Sequence, residues 1–434
     1  MGCAQLIITT NDTPANAGTT ARSNLIAGNY NRFTIPAKAT VTAYWPSSLT
    51  NAGQARPRPA ANSPERGLFL DAEYQQVHDF FAARPHRQPT PLRDLPGLAK
   101  TLGIGRLMVK DETGRFGLNA FKLLGASFAI ETLQAEGALS SGATVVCASE
   151  GNHGRAVARA AREAGCQARV YMAADAAQAR VDAIAGEGAI VVRVDGSYDD
   201  AVRKVSADAT THGWTVVSDT SWNGYERIPR LIMLGYTHMM EEVAEVSDVV
   251  FVQGGVGGLL CGVASWCARH APERAVVSVE PTSAACLLAS ARAGRPTAVT
   301  GPLTTAMAGL RNREVSPLAF ESVRSTVKAY LAVDDVWAHD AIRVLAQPAN
   351  GDPAIAAGAS GAAALAGLLA VTRDSSMDEL RDGLGLNSDA RVLVLVSEGV
   401  TDPDLWNDVT GETLGGAPDP HGGPGGIGAE RGSR

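Results

Sequence analysis

The sequence predicts an α/β fold built from mostly parallel sheets with helices on both faces, arranged as two lobes about a cleft. Short apolar runs alternate with segments of helical periodicity along the chain. Several of these runs are apolar at nearly every position, as strands covered on both faces require. The segments richest in Gly, Asn and Asp fall directly after such runs, where ligands sit in open parallel sheets. A length of 434 residues suits two lobes sharing a cleft.

Residues before about Asp71 are rich in Thr, Ala, Asn and Pro with weak periodicity, and segment 1–70 is read as partly disordered. Arg106–Lys110 reads as a strand and Ala120–Gln134 as a helix, with Phe121, Leu124, Phe128 and Leu133 near one face. Ala143–Ala148, Ala168–Met172 and Ala189–Val194 read as strands, separated by helices over Arg155–Ala164 and Ala176–Ala185. Trp214–Ser218 follows as a strand, then one long helix over Ile228–Val246. Asp248–Gln253, Ala275–Glu280 and Arg391–Val396 read as fully covered strands. Pro353–Val371 is the longest run without charge. Its Ala/Gly content marks a loop entering a buried helix, not a membrane span. The last residues, 411–434, read as a flexible Gly/Pro-rich tail.

Composition removes several function classes. A net charge of −7, no Lys/Arg cluster and 5% aromatic residues argue against nucleic-acid binding. No basic stretch precedes an apolar core at the N-terminus, so a soluble, cytoplasmic protein is expected. The six cysteines form no close CxxC pair, and no His stands at zinc-finger spacing. They are read as small buried hydrophobes, with no metal site, and a Cys261–Cys286 disulfide is left open.

Five segments carry candidate chemistry. Gly254-Gly255-Val256-Gly257-Gly258 lies between a strand and a helix. Its amides and the helix dipole make either a phosphate cup or a tight turn. It is not GxGxxG and lacks the Lys-Ser/Thr of a P-loop, which turns the reading away from NAD and ATP. Lys122 stands in an apolar stretch where a helix begins. There it is a surface lysine or an amine whose desolvation suits Schiff-base chemistry. In Ser149-Glu150-Gly151-Asn152-His153-Gly154, Asn152 can bond a ring hydroxyl or a carboxylate, and Glu150 is a loop carboxylate or a general base. His153 reads as a loop histidine before a catalytic one. Asp219 faces the same crevice or caps a helix. Ser397 follows the last strand and can bond a pyridine nitrogen or serve as a turn serine.

In order, these segments resemble the fold-type II pyridoxal-phosphate enzymes, the tryptophan synthase β-like group, and among them the diaminopropionate ammonia-lyases. The resemblance runs from about Pro89 to Leu405. It is most specific in Arg115-Phe-Gly-Leu-Asn-Ala-Phe-Lys122, and is carried further by Gly151–Arg155, Asp219–Trp222, Gly224-Tyr225, Ile228-Pro229, Gly235-Tyr236 and Met307–Leu310. It implies a large cofactor-binding lobe from 71–125 and 247–410, a small lobe from 126–246, and pyridoxal 5′-phosphate in the cleft between them. It also implies roles. Lys122 would carry the cofactor as a Schiff base and remove the α-proton of one enantiomer. Asn152 would contact the ring oxygen, Gly254–Gly258 the phosphate and Ser397 the ring nitrogen. Glu150 would be base for the opposite enantiomer, and Asp219 would bind or deprotonate substrate. The implied reaction is elimination on 2,3-diaminopropionate giving pyruvate and ammonia, by a homodimer. The alternatives are β-elimination or β-replacement on serine, threonine or an activated serine, or a non-catalytic cofactor-binding relative.

The chain departs from the family pattern at four places. Glu150 stands for Asp, Asn223 for Glu, Arg311–Glu314 for Ala-Cys-Gly-Glu, and Ala359 for a Glu before Ser360-Gly361. The first moves a carboxylate by one methylene, and a shift near ~1 Å at a base can cost roughly a hundredfold in rate.

Overall fold

A computed structural model describes residues 39–45, 67–84, 87–149 and 151–413. Cys3 and residues 414–434 of the tail lie outside them. The strands, in chain order, are β1 (Val41–Tyr44), β2 (Leu92–Asp94), β3 (Arg106–Asp111), β4 (Thr144–Ala148), β5 (Gln167–Ala173), β6 (Ile190–Val194), β7 (Thr215–Val216), β8 (Val249–Gln253), β9 (Ala275–Pro281), β10 (Ala329–Val333) and β11 (Arg391–Val396). They form a seven-stranded sheet, order β1-β10-β9-β8-β11-β3-β2, and a four-stranded sheet, order β6-β5-β4-β7. The four-stranded sheet is parallel throughout. In the larger one only the edges, β1 and β2, pair antiparallel.

The pattern follows from burial. Residues of β8 and β10 are buried at every position, and β11 is buried from Val392 onward, so these strands have no polar face to alternate. The helix Ala359–Arg373 is buried at every residue from Ala359 to Val371. A helix apolar all round belongs in the interior, and this one packs across β8, β9 and β11.

One expectation needs correction, and the cysteine pairing left open is decided. The single helix over Ile228–Val246 is two helices, Arg227–Tyr236 and His238–Glu241, and the chain has left helix before β8. At the junction the Thr237 amide and hydroxyl both donate to Leu234 O, three residues back, which tightens the turn and breaks the i−4 ladder. The Cys261–Cys286 disulfide is absent. Both thiols are free and buried, Cys261 against Ser265 and Cys286 against Gly255 O. Sequence reasoning also passed over β1. It belongs to the segment read as partly disordered, yet pairs with β10 over Val41–Val333 to Tyr44–Tyr330.

Among the described residues, no helix is long and apolar enough to cross a membrane.

Candidate active site

The candidate residues lie at the carboxyl ends of strands from both sheets. Gly151–Gly154 follows β4, Asp219 follows β7, Gly254 follows β8 and Ser397 follows β11. Lys122 is reached from β3 through a loop that ends as the helix Leu123–Ala135 begins. The two ends converge where that helix crosses Arg227–Tyr236. A methyl at Gly235 would stand 2.7 Å from Leu124 O, so only glycine permits this approach.

The lysine loop is held under strain. Phe116 and Asn119 have left-handed φ values of 50° and 57°, uncommon for residues with side chains. Arg115 fixes one end. Fully buried, it bonds the carboxylates of Glu112 and Glu242 and the hydroxyl of Thr90. Lys110 Nζ donates to the same Glu242. The other end is stitched to the segment after β11: Phe121 N donates to Ser397 O at 3.3 Å and Gly399 N to Asn119 O at 2.8 Å.

So placed, Lys122 Nζ donates to Asp219 Oδ2 at 2.6 Å, with 23% of its side chain exposed. It also lies over the rings of Phe121 and Tyr236, at 5.1 and 5.8 Å. Burial alone would lower the lysine's affinity for its proton. Asp219 reverses this and holds the ammonium well above the ordinary lysine range. Burial would likewise raise Asp219, but His153 and Lys122 outweigh it and hold the carboxyl well below the usual carboxylate range.

On the opposite wall, the Ser149 hydroxyl accepts from the amides of Gly151 and Gly154, shaping the turn before the helix Asn152–Glu163. Asn152 Nδ2 donates to Glu398. Glu398 is 5% exposed. Burial pushes its carboxyl up, opposed by hydrogen bonds from Ser360 and Asn152 and by the Lys122 charge. Sequence reading singled out Ser397 but not its neighbour Glu398. The available signal was a carboxylate directly after an apolar strand. Glu150 lies outside the described residues.

The glycine turn completes the site. Gly257 has φ +98°, a conformation that favours glycine, and a Cβ there would come within 3.0 Å of Ala319 Cβ. The Gly254 amide donates to Val279 O, and Val256 O accepts from Ser316 N. The amides of Gly255, Val256, Gly257 and Gly258 donate to no backbone carbonyl among the described residues. They stand at the N-terminus of the helix Gly258–His270, a ready anion site. The turn borders the ion pair, since a Cβ at Gly258 would lie 3.8 Å from Asp219 O and 3.7 Å from the Tyr236 ring.

Of the family departures, Asn223, Arg311 and Arg313 are exposed. Asn312 is different: its Nδ2 would sit 2.8 Å from a Cβ at Gly255, so it abuts the glycine turn. Ala359 lines a small cavity shared with Ser360 and Glu398.

The arrangement offers an amine, an ionised carboxylate, an oriented amide and an anion cup within one cleft. Residues 83–398 match the family described as pyridoxal-phosphate dependent enzyme. The chain is 37% identical over 375 residues to diaminopropionate ammonia-lyase of Escherichia coli K12, covering 81% of this chain and 94% of that protein. It is similar to the crystal structure of the Escherichia coli enzyme in complex with D-serine, with TM-score 0.75 and 33% identity, covering 86% of this chain and 97% of that one. The processed form of threonine deaminase isoform 2 from Solanum lycopersicum, 23% identical with TM-score 0.67 over 82% of this chain and 98% of that one, shares the fold.

Proposed function

We propose that this chain, which belongs to the pyridoxal-phosphate dependent enzyme family, catalyses α,β-elimination on 2,3-diaminopropionate to give pyruvate and ammonia. The observation that carries the reading is the Lys122–Asp219 ion pair, 2.6 Å long, at the edge of a glycine turn whose amides donate to no backbone carbonyl among the described residues.

The residues fit the cofactor. The amides of Gly255–Gly258 suit its phosphate, the Lys122 amine its aldehyde, Asn152 its ring oxygen and Ser397 its ring nitrogen. When bound, pyridoxal phosphate supplies an electron sink for the pair left at the substrate Cα.

This chain's residues supply proton traffic and position. Lys122 must shed a proton before its nitrogen can bond carbon or accept the α-proton, and Asp219 is the acceptor within reach. A β-amine leaves only when protonated. Lys122, held cationic beside Asp219, is the stronger candidate for that acid, because Asp219 itself is held ionised. Glu398 orients Asn152, whose amide donates to it. Glu150 is proposed as base for the second enantiomer, on the strength of its position between Ser149 and Gly151 in the sequence.

We take 71–125 with 247–410 as the large lobe and 126–246 as the small one. In support, every strand of the four-stranded sheet falls within 144–216. The five free cysteines among the described residues favour a reducing, cytoplasmic setting. A homodimer is proposed from the family resemblance, and light scattering measures it.

The test is a substrate panel on cofactor-loaded protein. Pyruvate and ammonia from diaminopropionate but not from serine or threonine support the reading. Turnover of serine or threonine in preference overturns it.

A further inference from the structure

His153 is a buried imidazole that the proposed mechanism does not use. Its Nε2 lies 2.9 Å from Val217 O. A carbonyl oxygen only accepts, so Nε2 carries a proton and the ring orientation is fixed. Its Nδ1 then faces Asp219 Oδ2 at 3.7 Å and has no hydrogen-bond partner among the described residues. One carboxylate oxygen is therefore flanked by two nitrogens, Lys122 Nζ at 2.6 Å and His153 Nδ1 at 3.7 Å.

The nearer partner is temporary. Lys122 has to give up a proton and leave Asp219 to reach the cofactor's aldehyde, which strands a largely buried carboxylate without its nearer partner. The other groups facing this point do not compensate it. Tyr225, Tyr236 and Cys147 are each pushed up by burial and stay neutral, and Glu398 faces Lys122 from the far wall. Among the described residues that face Asp219, only Lys122 and His153 are able to carry positive charge.

We propose that His153 is the positioning residue of Asp219 and the store for the proton that Lys122 releases. The proton passes from Lys122 Nζ through Asp219 Oδ2 to His153 Nδ1. This leaves a neutral amine, a carboxylate and an imidazolium, with total charge unchanged. With Lys122 gone, the new Nδ1–H closes the 3.7 Å gap to Oδ2, bonds it and keeps Asp219 ionised and aimed into the cleft. This rests on the roles of Lys122 and Asp219 proposed above.

Two arms test it. The first uses 15N-histidine NMR on the full chain without cofactor, at pH 7. Lys122→Ala, which removes the nearer partner, is expected to show both His153 nitrogens protonated, and adding Asp219→Asn to return Nδ1 to its bare form. A bare Nδ1 in Lys122→Ala overturns the proposal, whatever reaction the enzyme catalyses. The second arm exploits geometry: Asn places an amide near Nδ1, and Gln places one near Nε2. For the substrate enantiomer most impaired by Asp219→Asn, His153→Gln is expected to lose at least about tenfold in kcat with little change in KM; His153→Asn, whose amide can bond Asp219 but takes up no proton, is expected to lose less than His153→Gln yet to fall short of the parent rate. The reverse order, with Gln rescuing and Asn failing, assigns His153 to holding Val217 and overturns the proposal.

Discussion

Lys122 and Asp219 share one short hydrogen bond, 2.6 Å from Nζ to Oδ2, and each sets the other's ionisation against the pull of burial. Two groups, His153 and Lys122, hold the carboxyl down against burial. Removing the lysine charge takes away one of the two. In Lys122→Ala, the Asp219 ionisation is expected to move upward from its depressed position, read by 13C NMR of labelled aspartate. An unchanged titration in that variant would show that the pair is not coupled.

Arg115 neutralises Glu112 and Glu242 in a fully buried network that anchors the strained lysine loop. Arg115→Met leaves two carboxylates facing one lysine, Lys110. Breaking a buried pair from one side costs about 3–5 kcal/mol, so urea unfolding should show a loss of that order. A loss below ~1 kcal/mol would place the network's charges in solvent contact.

At Gly257 the left-handed backbone makes any side chain costly. Gly257→Ala is expected to strain the turn by ~1–3 kcal/mol and weaken cofactor retention by at least about tenfold. Titration of stripped protein with pyridoxal phosphate reads this directly. Affinity equal to that of the parent chain would remove the glycine turn from the phosphate role.

Glu280, which packs against Gly254 at the base of the glycine turn, gives a pH signature of its own. It is fully buried, and burial pushes its carboxyl up to about 8, although the amides of Leu287 and Leu288 donate to it. The folded value lies above the unfolded one of about 4.3, so its stabilising contribution is complete below that pH and lost as pH rises toward 8. Across that window the parent chain should lose up to ~1.4 kcal/mol per pH unit relative to Glu280→Gln, and the difference should flatten above it. Parallel stability curves for the two proteins between pH 5 and 8 would contradict this.

Much of this molecule is legible in one dimension because burial on both faces erases alternation. β8, β9 and β11 announce themselves as apolar runs, and the segments that follow β8 and β11 carry part of the chemistry. What escapes depends on partners distant in sequence. β1 is only four residues long, and its half-buried pattern has meaning only beside β10, nearly three hundred positions later. Glu398 acquires its role from Asn152 and Ser360, and Asn312 from Gly255. The break at Thr237 hides inside helical periodicity, because a three-residue hydrogen bond leaves no compositional mark. His153 looks like a loop residue until the carbonyl of Val217 fixes its ring.

The central claim is that Lys122 bears the cofactor. Borohydride reduction of the loaded protein, followed by peptide mass spectrometry, locks the cofactor onto whichever amine holds it. The account predicts a pyridoxyl group on the peptide containing Lys122, and none there in Lys122→Ala. A pyridoxyl group on any other lysine of the parent protein, with Lys122 unmodified, would contradict it.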